Sequence, residues 1–306
     1  MLGRRILRIK AFKAVYSFVE NSTMTLKDAQ SQLDKSCEAT RDLYLFMLTL
    51  PAAVTAEARA RIEAASRKFN PTEEERNPNM RFAQNAVAAQ LAGDIDLEKI
   101  VSKKKLSWEQ YDVLIRHLYE SLRSRDWFKE YMSAPENSIK EDAALWVRFF
   151  EEELVDNKEL EDILEDLNIW WNDDLAYALT WDCRAVEDLA RGRRWSMPEL
   201  YQSEMRKDAS LEDDRAFVHG VLAQAVKGYG RYVQKVSERT PKWDSGRICT
   251  TDLALIISGL AESEAFPDTP AKVVINEYVE ISKFYSTPDS RAFVNGILDK
   301  LIEKRI

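Results

Sequence analysis

The stretch Thr287-Pro-Asp-Ser-Arg-Ala-Phe-Val-Asn-Gly-Ile-Leu-Asp-Lys-Leu301 carries the pattern that decides the fold class. Phe293, Val294, Ile297, Leu298 and Leu301 recur at i, i+1, i+4, i+5 and i+8, which is one buried helical stripe. Thr287 ahead of Pro288 predicts an N-cap with proline at the first helical position. Asp289 then follows where a carboxylate meets the positive end of the helix dipole. Thr269-Pro270 repeats the start signal one helix earlier. Towards the N-terminus the same period returns in Leu253–Leu260 and Phe217–Val236. It returns in Ala143–Leu167, through Leu145, Phe149, Leu154, Leu160, Ile163, Leu164 and Leu167. Leu106–Trp127 carries Tyr111, Leu114, Ile115, Leu118 and Leu122 on one face, and Ile9, Phe12, Tyr16 and Val19 make a further stripe. No run alternates with period two, so the expected fold class is all-α.

Composition agrees. Only 9 glycines and 9 prolines occur in 306 residues, too few for a turn-rich β protein, and 45% hydrophobic content excludes general disorder. Cys37, Cys183 and Cys249 lie too far apart for a disulfide framework or a zinc cluster. There is no apolar run long enough to span a bilayer and no secretory h-region at the start, so the expected location is the reduced cytoplasm.

Charge is unevenly distributed. The net charge of −8 argues against a surface that coats nucleic acid all over. Residues 1–19 nevertheless hold Arg4, Arg5, Arg8, Lys10 and Lys13 and no acid. Residues 141–166 hold eleven acids against Arg148 and Lys158. Loops are expected at 70–78, at 133–138 and at Gly192-Arg193-Arg194. Asp42, Asp142 and Asp214 each stand ahead of an apolar stripe, a weak internal similarity that dipole chemistry alone explains.

No phosphate-binding glycine loop, dinucleotide fingerprint, H-E-x-x-H or G-x-S-x-G motif occurs, so neither catalysis nor a cofactor is expected. His117 and His219 are isolated, and the acids of 151–166 lack the spacing of a calcium loop, so no metal is expected. The tryptophans, Trp146, Trp170, Trp171, Trp181 and Trp195 among them, fall mostly at apolar helical positions and read as core. Arg5 falls in the Ile9–Tyr16 stripe on a helical wheel, where a charge is costly to bury. The first residues are therefore expected to form an extended arm, with the helix beginning near Leu7. Such an arm suits RNA phosphates and base edges.

One resemblance names a family. Asp252-Leu-Ala-Leu-Ile-Ile257, Glu262, Asp268-Thr-Pro270, Lys272-Val-Val-Ile-Asn-Glu277 and Phe293-Val-Asn-Gly-Ile-Leu-Asp-Lys300 resemble the signature of the NusB family of bacterial transcription antitermination factors. Trp243, Arg247 and Asp252 look like its tryptophan–arginine–aspartate run. Asp214-Arg-Ala-Phe217 and Gly220-Val-Leu222 resemble the helix before that run, and Arg4, Arg5, Arg8 and Ala14-Val-Tyr-Ser17 the first helix. A typical member is roughly half this length. The expected organisation is therefore a basic arm and first helix over 1–20, an inserted or enlarged helical region over 21–204, and the C-terminal part of a NusB-like bundle over 205–306.

The resemblance implies a non-enzymatic function. Family members bind boxA-type single-stranded RNA of ribosomal operon transcripts. They do so together with a small-subunit ribosomal protein acting as NusE, within the RNA polymerase antitermination complex. By matching position, Arg4, Arg5, Arg8, Asp289, Ser290, Arg291 and Phe293 would contact RNA, and Asp252 and Glu262 would face the ribosomal protein. The alternative is a helical protein–protein interaction module whose RNA face is lost or covered by the additional helices. NusB-like domains also accompany ribosomal RNA methyltransferases, but the cofactor loop of such enzymes has no counterpart in this sequence.

Overall fold

The computed structural model describes residues 1–306 except 22, 136, 172, 202–212, 241–247 and 303–306. The chain begins with α1 (Arg4–Glu20), α2 (Leu26–Leu48) and α3 (Leu50–Ser66). Short helices follow: α4 (Glu73–Arg76), α5 (Ala86–Ala92), α6 (Ile95–Lys104), α7 (Asp112–Ser124) and α8 (Asp126–Ser133). Next come α9 (Ile139–Phe149), a π turn at Phe150–Leu154, α10 (Lys158–Leu167) and α11 (Leu175–Ala190). The last four are α12 (Asp214–Arg239), α13 (Thr250–Ala265), α14 (Ala271–Tyr285) and α15 (Ser290–Leu301). Among the described residues there is no strand, only one isolated bridge between Leu2 and Tyr201. The fold is all-α, as the periodicity predicts.

The chain divides into two compact units. The first comprises residues 1–38 and 199–306, the second residues 39–198. In the first, α1 packs on α12 and α13, and α13 packs on α14 and α15. Its core is built from Leu7, Ala11 and Val15 of α1, Val221 and Leu222 of α12, Leu255 and Ile256 of α13, Tyr278 of α14 and Leu298 of α15. Burying each such Leu, Ile or Val side chain is worth about 1.5–3 kcal/mol, so this interface is what gathers both ends of the sequence into one bundle.

The second unit has its own core. Trp146 is fully buried and donates its indole N–H to Asn85 at 2.8 Å, while Trp108 stacks on Phe46 with ring centroids 3.8 Å apart. Trp146 on α9 and Trp108 in the loop before α7 are packing groups, and Trp171 is buried too, but the expectation of core tryptophans fails at Trp170, which is exposed, and holds only in part at half-buried Trp181 and Trp195. Trp243 and Arg247 lie outside the described residues.

Several expectations need correction. The arginines at the start are helical, because α1 begins at Arg4. Residues 1–3 are held too: the Met1 ammonium donates to the Glu199 carbonyl, and the Leu2 N–H donates to Leu200 O at 2.8 Å. The buried face of α1 is Ile6, Leu7, Ala11, Phe12, Ala14 and Val15, so Tyr16 stands 37% exposed and Arg5 escapes the core. The Leu106–Trp127 pattern is broken at Arg125, whose extended backbone separates α7 from α8. The Ala143–Leu167 pattern is broken by the π turn and by Asp156, which adopts φ +62°. The expected 70–78 loop contains α4, started by a Thr72–Glu75 capping box. Asp42 lies inside α2, paired with Lys104 at 2.6 Å, so the three acids do not mark equivalent helix starts. Pro270 is the cap of α14 and Asp289 the cap of α15, so both helices start slightly later than the Thr-Pro signals suggest.

Candidate nucleic-acid interface

All of the sequence-predicted site residues belong to the first unit. The three arginines of α1 lie at i, i+1 and i+4 and meet three different environments. Arg4 pairs with Asp214 of α12 at 2.7 Å and lies over the Phe217 ring, 4.1 Å from its centroid. Arg8 is buried and makes a forked contact with Glu262 of α13, Nη2–Oε1 at 2.7 Å and Nε–Oε2 at 2.9 Å. The Tyr278 hydroxyl donates to the same carboxylate at 3.0 Å. Burial alone would lower the Arg8 pKa, but the hydrogen bonds and charge of Glu262 outweigh it, and the net shift is upward. Burial, reinforced by the charge of Glu262, pushes Tyr278 well above its usual value.

Arg5 differs from its two neighbours. It is exposed and meets Glu277 of α14 with Nε–Oε2 at 3.1 Å and Nη2–Oε1 at 3.2 Å. That hydrogen bond raises its pKa, so it stays cationic at any working pH. Glu280, one turn along α14 from Glu277, has a lowered pKa. The cause is first its hydrogen bond from Lys283, then the charges of Lys283, Arg291 and Arg5. Arg5 and Arg291 come from opposite ends of the sequence, and the charge of each favours the ionised form of Glu280.

The turn from α14 to α15 is set by Asp252. Ser286 Oγ donates to Asp252 Oδ1 at 2.5 Å and Ser290 Oγ donates to Oδ2 at 2.8 Å. With the Ser290 proton so engaged, the Thr287 hydroxyl is the donor in its 2.9 Å contact with Ser290. Asp289 and Arg291 flank this pinned turn and are exposed, while Phe293 is half-buried.

This arrangement corrects part of the expected site. Asp252 is 6% exposed and Glu262 0%, so neither turns its carboxylate outward to a partner. Asp252 holds a turn, and Glu262 holds Arg8 against α13. Ser290 is buried in the same network, and Arg8 is spent on an internal pair. Glu277, part of the Lys272–Glu277 signature string, ties α14 to α1 through Arg5, 272 residues away, a pairing that helical periodicity does not signal. Glu280 pairs locally with Lys283.

Elsewhere, His117 pairs with Glu159 at 3.0 Å and His219 with Asp34 at 2.7 Å. Among the described residues, no group of three or more His, Cys, Asp or Glu could hold a metal ion. Nor is any helix there long and apolar enough to cross a membrane.

Comparison with known proteins gives a consistent answer. The NusB family model matches residues 183–303. The transcription antitermination protein NusB of Methylacidiphilum infernorum is 32% identical over 118 residues, covering 34% of this chain and 82% of that protein. Its counterpart in Finegoldia magna is 31% identical over 128 residues, covering 38% of this chain and 93% of that protein. The NusB of Alkaliphilus oremlandii is 32% identical over 93 residues, or 30% and 67% of the two chains. No solved structure matches. The chain therefore belongs to the NusB family of transcription antitermination proteins, and it is much longer than those relatives.

Proposed function

We propose that this protein is a non-catalytic antitermination factor that binds boxA-type single-stranded RNA of ribosomal operon transcripts. It does so together with a small-subunit ribosomal protein acting as NusE, in the RNA polymerase antitermination complex. The observation that supports the reading is exposed Arg5 of α1 paired with Glu277 of α14, together with exposed Arg291 beside the Ser286–Ser290 turn that Asp252 pins. In this reading Arg5 and Arg291 meet phosphates, Asp289 and Phe293 lie alongside the strand, and buried Ser290 fixes the turn that presents them. Arg4 and Arg8 act indirectly by holding α1 in place. An exposed ion pair such as Arg5–Glu277 is worth about 1 kcal/mol or less, so Arg5 is available to exchange its carboxylate for a phosphate.

The experiment is a titration of boxA RNA into the full chain at several salt concentrations, with and without the ribosomal protein. Each single-strand phosphate contact contributes about 0.7 to the slope of log K against log salt. Arg5→Ala and Arg291→Ala should each weaken binding and reduce the slope by about that amount. Unchanged affinity and slope in both variants would count against the site. Capture of the ribosomal protein with no preference for boxA would favour the protein-docking alternative. The observation behind that alternative is the net charge of the second unit, which carries 31 Asp+Glu against 22 Lys+Arg, or −9.

A further inference from the structure

Phe284 is the most exposed aromatic side chain among the described residues of the first unit, at 81%. It lies near the C-terminal end of α14, and its position on that helix ties it to the cations already described. Val273, Glu277, Glu280 and Phe284 are spaced by four, three and four residues, which places them in one row along the helix. Glu277 in that row pairs with Arg5, and Glu280 accepts a hydrogen bond from Lys283 at 2.6 Å. Phe284 follows Glu280 by one turn, about 6 Å along the axis. The ring therefore continues the row of α14 on which Glu277 holds the exposed Arg5 guanidinium. Two residues further on begins the turn pinned by Asp252, so the ring stands on well-fixed backbone.

We propose that Phe284 is a stacking platform for an unpaired nucleobase, with the neighbouring phosphates taken by Arg291 and Arg5. The subsite rests on the RNA-binding reading and adds a named contact to it. Every base offers a π-face, so an aromatic ring beside cations binds single strands with little base preference. The next residue shows that this aromatic is not simply spare packing: Tyr285 is engaged with Phe12 at 5.4 Å between centroids, whereas Phe284 points away from the core. A protein-docking surface would present a contiguous apolar patch. Here the row beside Phe284 is two ion pairs, Glu277 with Arg5 and Glu280 with Lys283, and the nearest apolar member of the row, Val273, is eleven residues back, about 16 Å along the axis.

The test uses the full chain and boxA RNA carrying 2-aminopurine at single positions, with the ribosomal protein present. Phe284→Ala should weaken RNA binding roughly 5- to 150-fold. It should leave the salt slope unchanged, because no charge is lost, and abolish the fluorescence quenching at one position. Phe284→Trp should restore affinity and quenching. Thermal stability should be the same in all three proteins, since the ring is outside the core. If Phe284→Ala binds RNA within twofold of the unsubstituted chain, the subsite is wrong and the RNA reading stands. If that variant loses the ribosomal protein but keeps RNA, the subsite is likewise overturned. If the unsubstituted chain binds no boxA RNA, the broader reading falls and takes the subsite with it.

Discussion

Arg4, Arg5 and Arg8 are one residue type within five positions, yet their environments make them three different groups. Arg8 shares a buried carboxylate with Tyr278, so removing it leaves Glu262 charged and unpaired in the core. Breaking a buried pair on one side costs roughly 3–5 kcal/mol. Arg8→Ala should therefore lower the thermal midpoint sharply, whereas Arg5→Ala should shift it barely at all; differential scanning calorimetry separates the two. A substitution of all three arginines would confound binding with unfolding. Asp182 on α11 is a second residue whose meaning lies in burial. Both its carboxylate oxygens lack hydrogen-bond partners, and desolvation pushes its pKa well up. Its folded-state pKa thus lies above the unfolded value of about 3.9. The associated stability is complete below that pH and is lost as pH rises towards the folded pKa. Asp182→Asn keeps the shape without the ionisation, so its thermal midpoint should exceed that of the parent by a margin that widens from pH 4 to pH 8. A margin independent of pH would show that Asp182 is not the titrating group.

At the scale of elements, the sequence marks helices more reliably than their ends. The α7 stripe of Leu114, Ile115, Leu118 and Leu122 is buried just as its spacing predicts. The breaks at Arg125 and Asp156 are invisible to periodicity because apolar residues continue on both sides. They depend on backbone conformations that tertiary packing pays for. The N-terminal helix departs from its sequence pattern for a related reason. A stripe through Ile9, Phe12 and Tyr16 includes Arg5, a charge too costly to bury. The actual face is shifted, which leaves Arg5 outside and lets Glu262 neutralise Arg8 inside. Gly228 in α12 illustrates the limit of propensity. A Cβ there would lie 2.5 Å from the Tyr232 ring, which is buried and whose hydroxyl donates to Glu264 at 2.7 Å. Alanine gains about 1 kcal/mol of helix propensity, but overpacking costs about 1–3 kcal/mol. Gly228→Ala should accordingly destabilise the protein by on the order of 1 kcal/mol in a denaturant titration. A stabilised variant would show that the ring can move aside freely.

At the scale of the whole molecule, the charge separates by unit. Residues 39–198 account for −9, which leaves the first unit with 22 Lys+Arg against 21 Asp+Glu. The acidic total of the chain thus says nothing against an RNA site on the first unit. Each unit also has its own core, so damage should stay local. Hydrogen exchange on Arg8→Ala should speed in α1, α12 and α13 and remain unchanged in α7, α9 and α11. Equal acceleration in both sets would show that the units open together.

The sequence by itself determined the helical class, the family signature towards the C-terminus, the core role of Trp146 and Trp171 and the uneven charge. These depend on local period, composition and short motifs, which survive without knowing any contact. The tertiary structure alone decided which cations are used up and which face solvent. Arg8 and Asp252 carry the same formal charges as Arg5 and Asp289, but burial and partners hundreds or tens of residues away commit the first pair to the interior. The exposed Phe284 was equally out of reach, because an apolar residue on a helix reads as core until the surface beside it is known to be empty. Long-range pairing converts residue type into role, and it is encoded only in the folded chain.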